Sequence, residues 1–112
     1  MRTHKYNATK TIVDGLTFPS KAEAARYQEL QLMIYAGEIS DLQLQPSFVL
    51  LPGFVDNRGK TQRGITYKAD FLYVEDGQTV VEDVKGMETP VFKLKAKLFR
   101  YNYPDIQFRI VR

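Results

Sequence analysis

Asp76-Gly77 stands between two β-prone runs, Ile65 to Glu75 and Gln78 to Lys85, and few dipeptides restrict a fold more. A type I′ turn needs positive φ at both central residues, which Asp-Gly tolerates, so the pair predicts a two-residue hairpin. The register follows at once: 75 faces 78, 73 faces 80, 70 faces 83 and 68 faces 85. Asp70 then lies opposite Asp83 and Lys68 opposite Lys85, and the strand period of two puts all four on one face. Like charges directly opposed destabilise a sheet. Either a bound cation or the two lysines must compensate the carboxylates, and the hairpin arithmetic alone leaves these explanations level.

A second Asp-Gly, Asp14-Gly15, separates Thr11-Ile12-Val13 from Leu16-Thr17-Phe18 and predicts a small N-terminal ribbon. Ser20 then opens a helix over about 20–36, with Glu23 as its capping-box partner and Gly37 as the stop. Leu42 and Leu44 alternate with polar neighbours before Pro46, and Phe48 to Leu51 continue as an apolar run, which reads as one interrupted strand. Residues 52–63, rich in Gly, Pro and Asn, read as a mobile exposed loop carrying Arg58, Lys60 and Arg63. Thr89-Pro90 starts a second helix over about 90–102, and Ile106, Phe108 and Ile110 alternate in a last strand. The expected architecture is a single α/β (α+β) domain, helix, three strands, helix, strand, with a mixed central sheet flanked by helices. Residues 1–19 form a basic N-terminal arm and 20–111 the core.

Composition narrows the chemistry. A chain of 112 residues, 44% hydrophobic and 26% charged, is in the range of one folded domain. It has no cysteine, which removes disulfides, thiolate zinc sites and cysteine nucleophiles. Its one histidine, His4, lies in a polar terminal segment and supports neither a Ser-His-Asp triad nor a histidine metal site. No run approaches the roughly 20 apolar residues that span a bilayer, and no signal-type apolar segment follows the basic Met1 to Lys10. No membrane partner and a cytoplasmic location are therefore expected. Carboxylates, lysines and a hard cation such as Mg²⁺ or Mn²⁺ remain.

Charge is unevenly placed. Residues 70–88 hold six Asp/Glu and one Lys, whereas 89–112 hold six Lys/Arg and one Asp. An acidic island between basic flanks suits a polyanion binder with cation ligands at its centre, and equally an acidic hairpin beside a solvated basic helix. Two side chains sit where periodicity does not want them. At about 100° per residue, Glu23 falls within about 20° of Leu30 and Ile34, inside the apolar stripe of the first helix. A carboxylate there needs a partner such as a metal, a water or a lysine, while the capping box with Ser20 also accounts for it. On the second helix Lys95 falls among Val91, Phe92, Leu94, Leu98 and Phe99. It can reach a phosphate or the acidic site, or snorkel to solvent.

Asp70 with Asp83-Val84-Lys85 on the next strand, and Glu23 on a preceding helix, resembles the core of the PD-(D/E)XK nuclease superfamily. The similarity covers residues 20–111. Ser20-Lys21-Ala22-Glu23, Asp41 to Pro46, Ile65 to Phe71 and Val81 to Gly86 also resemble a small family of phage and prophage proteins and the nuclease domain of TnsA-type transposase endonucleases. Ala69 stands where that motif has its proline. The resemblance implies that Asp70 and Asp83 bind Mg²⁺ or Mn²⁺, with the Val84 carbonyl as a further ligand, and that Glu23 contacts the metal through water. Lys85 would orient the attacking water and stabilise developing charge. Gln45 lies near the same edge and reads first as an ordinary polar sheet residue.

The function so implied is a metal-dependent DNA endonuclease of phage origin, acting in recombination, replication or packaging. A small chain offers little surface for base readout, so Holliday junctions or other branched DNA are the expected substrates. Resolving a junction takes two active sites, hence a homodimer, and other phage proteins are expected partners. Lys68, Lys95, Arg58, Lys60 and Arg63, with Arg2, Lys5 and Lys10, are the candidate phosphate contacts. The alternative is a non-catalytic module that binds nucleic acid or a protein partner on the same fold; an RNA substrate also stays open.

Overall fold

A computed structural model describes residues 9–112; Arg2, His4 and Lys5 lie outside the described residues. The chain is mixed α+β, and its contacts divide it into two compact units, one ending at Ser40 and one running Asp41–Arg112.

In the first unit β1 (Thr11–Val13) and β2 (Leu16–Phe18) pair antiparallel. Asp14 and Gly15 carry φ of 53° and 77°, the positive pair that the dipeptide predicts. Helix α1 (Lys21–Tyr35) follows, and the Ser20 side chain accepts from the Glu23 amide, the N-cap bond expected. Its C-terminal end is a Schellman turn. The Glu38 amide donates to Met33 O and the Gly37 amide to Ile34 O, and Gly37 takes the left-handed φ of 76° that this turn requires. Ala24, Tyr27 and Leu30 are buried, and the Tyr27 ring packs at a tilt against Phe18, with centroids 4.9 Å apart.

The second unit is built on a mixed sheet. Strands β3 (Ser40–Leu44), β4 (Ser47–Leu51), β5 (Phe54–Val55), β6 (Thr61–Gln62), β7 (Ile65–Lys68), β8 (Phe71–Glu75) and β9 (Gln78–Val84) precede α2 (Pro90–Asn102) and β10 (Gln107–Val111). Four of them form one sheet in the order β10, β9, β8, β3. The β8–β9 hairpin keeps the expected register, with Glu75 facing Gln78, Tyr73 facing Val80 and Phe71 facing Glu82. Parallel β9 and β10 need a long crossover, which α2 supplies. Thr89 caps α2 and Pro90 occupies its first turn, as read from the sequence.

Three expectations about the strands are corrected. The run Ile65 to Glu75 is two strands: β8 stays in the main sheet, whereas β7 pairs with β4. The break has a cause in hydrogen bonding. The Ala69 amide donates to Pro46 O and the Gln45 amide, at a φ of 51°, donates to Asp70 O, so the backbone at 69–70 is turned to the β3–β4 link. That link likewise divides the interrupted strand at 42–51 into β3 and β4, in different sheets. Residues 52–63, read as a loop, hold the antiparallel β5–β6 hairpin.

The core of this unit lies on the sheet face bearing Leu72, Val81, Phe108 and Ile110, against Phe92, Ala96 and Phe99 of α2 and Leu50 and Tyr67 of β4 and β7. The buried face of α2 is centred on the two phenylalanines, so Val91 and Leu94, expected inside, are exposed. The sheet's other face buries a polar group. The Tyr73 hydroxyl donates to Glu82 Oε2, and Arg109 reaches Tyr73 Oη at 3.1 Å and Glu75 Oε1 at 2.9 Å. Tyr73 and Glu82 are both fully buried, a setting in which such bonds matter because an unmet polar group is costly.

Candidate active site

Asp70, Asp83 and Lys85 come together at the end of the β8–β9 hairpin, within the second unit. Asp70 lies one residue before the ladder begins, and its amide donates to Glu82 O. The Val84 amide donates to Asp70 Oδ2 at 2.7 Å, so the carboxylate of one strand is fastened to the backbone of the next, beside Asp83. Asp83 shares the α2 side of β9 with Val81 and is only 2% exposed. Its two oxygens have separate partners. The Tyr67 hydroxyl donates to Oδ2, and Lys85 Nζ stands 3.4 Å from Oδ1. The Lys85 amine also lies 4.7 Å from the centre of the Phe92 ring, a favourable place for a cation. Its amide is anchored on Val111 O at 2.8 Å.

Tyr67 is the residue that sequence reasoning missed. Burial first, then the Asp83 carboxylate, push its phenol well above the ordinary value, so it stays neutral and donates. The available signal was its alternation with Ala69, which places the ring on the core face near the acidic pair, but a tyrosine in a strand is usually read as packing. Tyr67→Phe keeps the ring and removes the donor from a buried carboxylate. The expected loss is about 1–3 kcal/mol of unfolding free energy, read from urea denaturation; a change within error would show that Asp83 does not depend on this bond.

The remaining candidates of the second unit are dispersed. Lys68 was expected opposite Lys85; it instead pairs across β4–β7 with Ser47 and is exposed, because β7 has left the main sheet. Lys95 is half-buried on α2, at the edge of its apolar face. Arg58, Lys60 and Arg63 lie on or beside the β5–β6 hairpin, all exposed. Gln45 holds the Asp70 backbone, a structural part. Glu23, in the first unit, is 5% exposed, with its amide held by Ser20, so a carboxylate does occupy the apolar stripe of α1.

Two carboxylates, Asp70 and Asp83, lie at this end of the hairpin. Among the described residues no three or more His, Asp or Glu side chains are grouped to hold a metal. Mg²⁺ does not require such a cage, since it takes one or two carboxylates and keeps water in its other positions. Asp70 and Asp83, neighbours across the β8–β9 end, fit that donor set.

The sequence pattern of a protein family described as "Protein of unknown function (DUF1064)" matches residues 3–112. The chain belongs to this family. No curated protein and no solved structure matches it. Among the described residues, no helix is long and apolar enough to cross a membrane.

Proposed function

We propose that this DUF1064 protein is a metal-dependent DNA endonuclease of the PD-(D/E)XK type, with Asp70, Asp83 and Lys85 as its working residues. The observation that carries the reading is the convergence of a buried carboxylate, a second carboxylate tied to the adjoining backbone, and a lysine one-third exposed beside them. Neighbouring carboxylates cost stability unless something compensates them. The resemblance in the motif residues points the same way.

Asp70 and Asp83 would hold the Mg²⁺ or Mn²⁺ ion, which supplies positive charge at the scissile phosphate. Tyr67 limits how Asp83 can rotate, because it engages Oδ2 and leaves the Oδ1 side toward Lys85. Lys85 keeps its ammonium at the solvent side of Asp83, where it can orient a water and stabilise charge gathering on phosphate oxygens. In the hydrolysis, the water oxygen bonds to phosphorus as the bond to the sugar oxygen breaks. The sugar oxygen takes up a proton as it leaves.

A rival reading, a non-catalytic module, is favoured by one feature: Asp83 already has a partner at each oxygen. Labelled four-way junction, flap, nicked and plain duplex DNA, each incubated with Mg²⁺, Mn²⁺ or EDTA, separates the two. Strand scission in either metal, with branched substrates preferred and none in EDTA, is the expected result. Intact binding with no scission of any substrate would establish the rival. Resolution of a junction by paired cuts would further require two copies of the chain, visible as a dimer in sedimentation.

A further inference from the structure

From Leu51 to Thr66 every residue is exposed except Asp56 and Gln62, which are part-buried. This stretch stands in solvent, yet it is held at both ends. At its base the two segments approach so closely that a Cβ on Gly64 would lie 2.7 Å from Leu51 O and 3.0 Å from Gly53 N. At its tip Asp56 gathers the turn. Oδ1 accepts from the Arg58 and Lys60 amides at 2.8 and 3.1 Å, and Oδ2 from the side chains of Arg58 and Gln62 at 2.7 and 2.9 Å. The Arg58 side chain, then Gln62, hold this carboxyl well below the usual carboxylate range. The ribbon is thus ordered without a core of its own; Lys60 and Arg63 are exposed, and Arg58, also exposed, shares its guanidinium with Asp56, so that the stretch keeps a net positive charge.

We propose that the β5–β6 ribbon is an arm that seats in the major groove of duplex DNA, with Arg58, Lys60 and Arg63 against the phosphates. A two-stranded ribbon is one of the two elements that the major groove of B-DNA admits. The deep, narrow major groove of duplex RNA excludes it. A single strand is bound mainly by rows of stacked aromatic rings, and Phe54 is the one exposed aromatic residue between 51 and 66. Two copies of the arm would bring like charges together, which disfavours pairing with a second chain. Phe54 and Val55, 47% and 65% exposed, are available for apolar contact with thymine methyl groups. The choice of DNA as the polyanion rests on the nuclease reading, and the arm adds to it the requirement for duplex flanking the cut.

The test is binding in EDTA, where cleavage plays no part, of a labelled 25-base-pair duplex by the wild type, by Arg58→Gln/Lys60→Gln/Arg63→Gln, and by Lys93→Gln/Lys97→Gln. The control pair are exposed lysines of α2. Each phosphate contact contributes about 0.9 to the slope of log affinity against log salt. The arm variant is expected to lower that slope by about 2–3 and to weaken binding more than tenfold at low salt, the control by clearly less, and the single strand of equal length to bind the wild type more weakly. Equal losses in arm and control variants, an unchanged slope, absence of duplex binding by the wild type, or conversion of a wild-type dimer to monomer by the arm variant would each overturn the proposal. Arm-dependent duplex binding without scission in Mg²⁺ would instead overturn the nuclease reading alone.

Discussion

Asp83→Asn is expected to lower DNA cleavage by about 10²–10⁴-fold, the range lost when one group that handles a proton or stabilises transition-state charge is removed. The substitution is nearly isosteric. The Tyr67 hydroxyl still finds an oxygen to donate to, and Lys85, one-third exposed, can turn its ammonium to water. The fold should therefore survive while the negative charge beside Asp70 disappears. Cleavage rates at saturating Mg²⁺, with the urea midpoint measured in parallel, separate the two effects. A variant that stays folded and cuts within a factor of two of the wild type would exclude Asp83 from the reaction. If instead the midpoint collapses, the Tyr67 and Lys85 contacts to Asp83 belong to the fold's stability and the residue's role in cutting must be judged from Lys85→Met.

Phe99→Ala is expected to cost about 3–5 kcal/mol, the usual range for emptying a buried phenylalanine site. Phe99 is fully buried, and its ring lies 4.9 Å from Phe48, 5.2 Å from Phe108 and 5.8 Å from Tyr67. These neighbours come from both strands of the β4–β7 pair, Tyr67 among them, and from the last strand of the main sheet, so one ring joins the two sheets of the unit. Domains of this size are stable by only about 5–15 kcal/mol, and the loss takes a large share. Urea unfolding of the variant measures it. A cost below about 1 kcal/mol would mean that the aromatic cluster is looser than its ring contacts imply.

The parts of the fold set by turn and cap chemistry were legible from the sequence. Both Asp-Gly pairs give their hairpins, Ser20 and Thr89 cap their helices, and the register of β8 and β9 follows from Asp76-Gly77 alone. What escaped depends on bonds between distant segments. Nothing local at Lys68-Ala69-Asp70 reveals that Pro46 and Gln45 will take its backbone groups, so Lys68 was set opposite Lys85. The Gly, Pro and Asn of 52–63 are ordinary loop residues, and the hairpin there depends on four hydrogen bonds converging on Asp56. In the site, Asp70, Asp83 and Lys85 were legible through strand alternation, because one short hairpin carries them. Tyr67 was not, since its hydroxyl meets Asp83 across the join between two sheets.

Strand scission measured side by side for wild type and Asp83→Asn, on labelled four-way junction and plain duplex, in Mg²⁺ and in EDTA, tests the central claim most directly. The account predicts cutting by the wild type in Mg²⁺, none by either protein in EDTA, and cutting by Asp83→Asn in Mg²⁺ lowered about 10²–10⁴-fold. Cutting that persists in EDTA, or that the two proteins share equally, would contradict it.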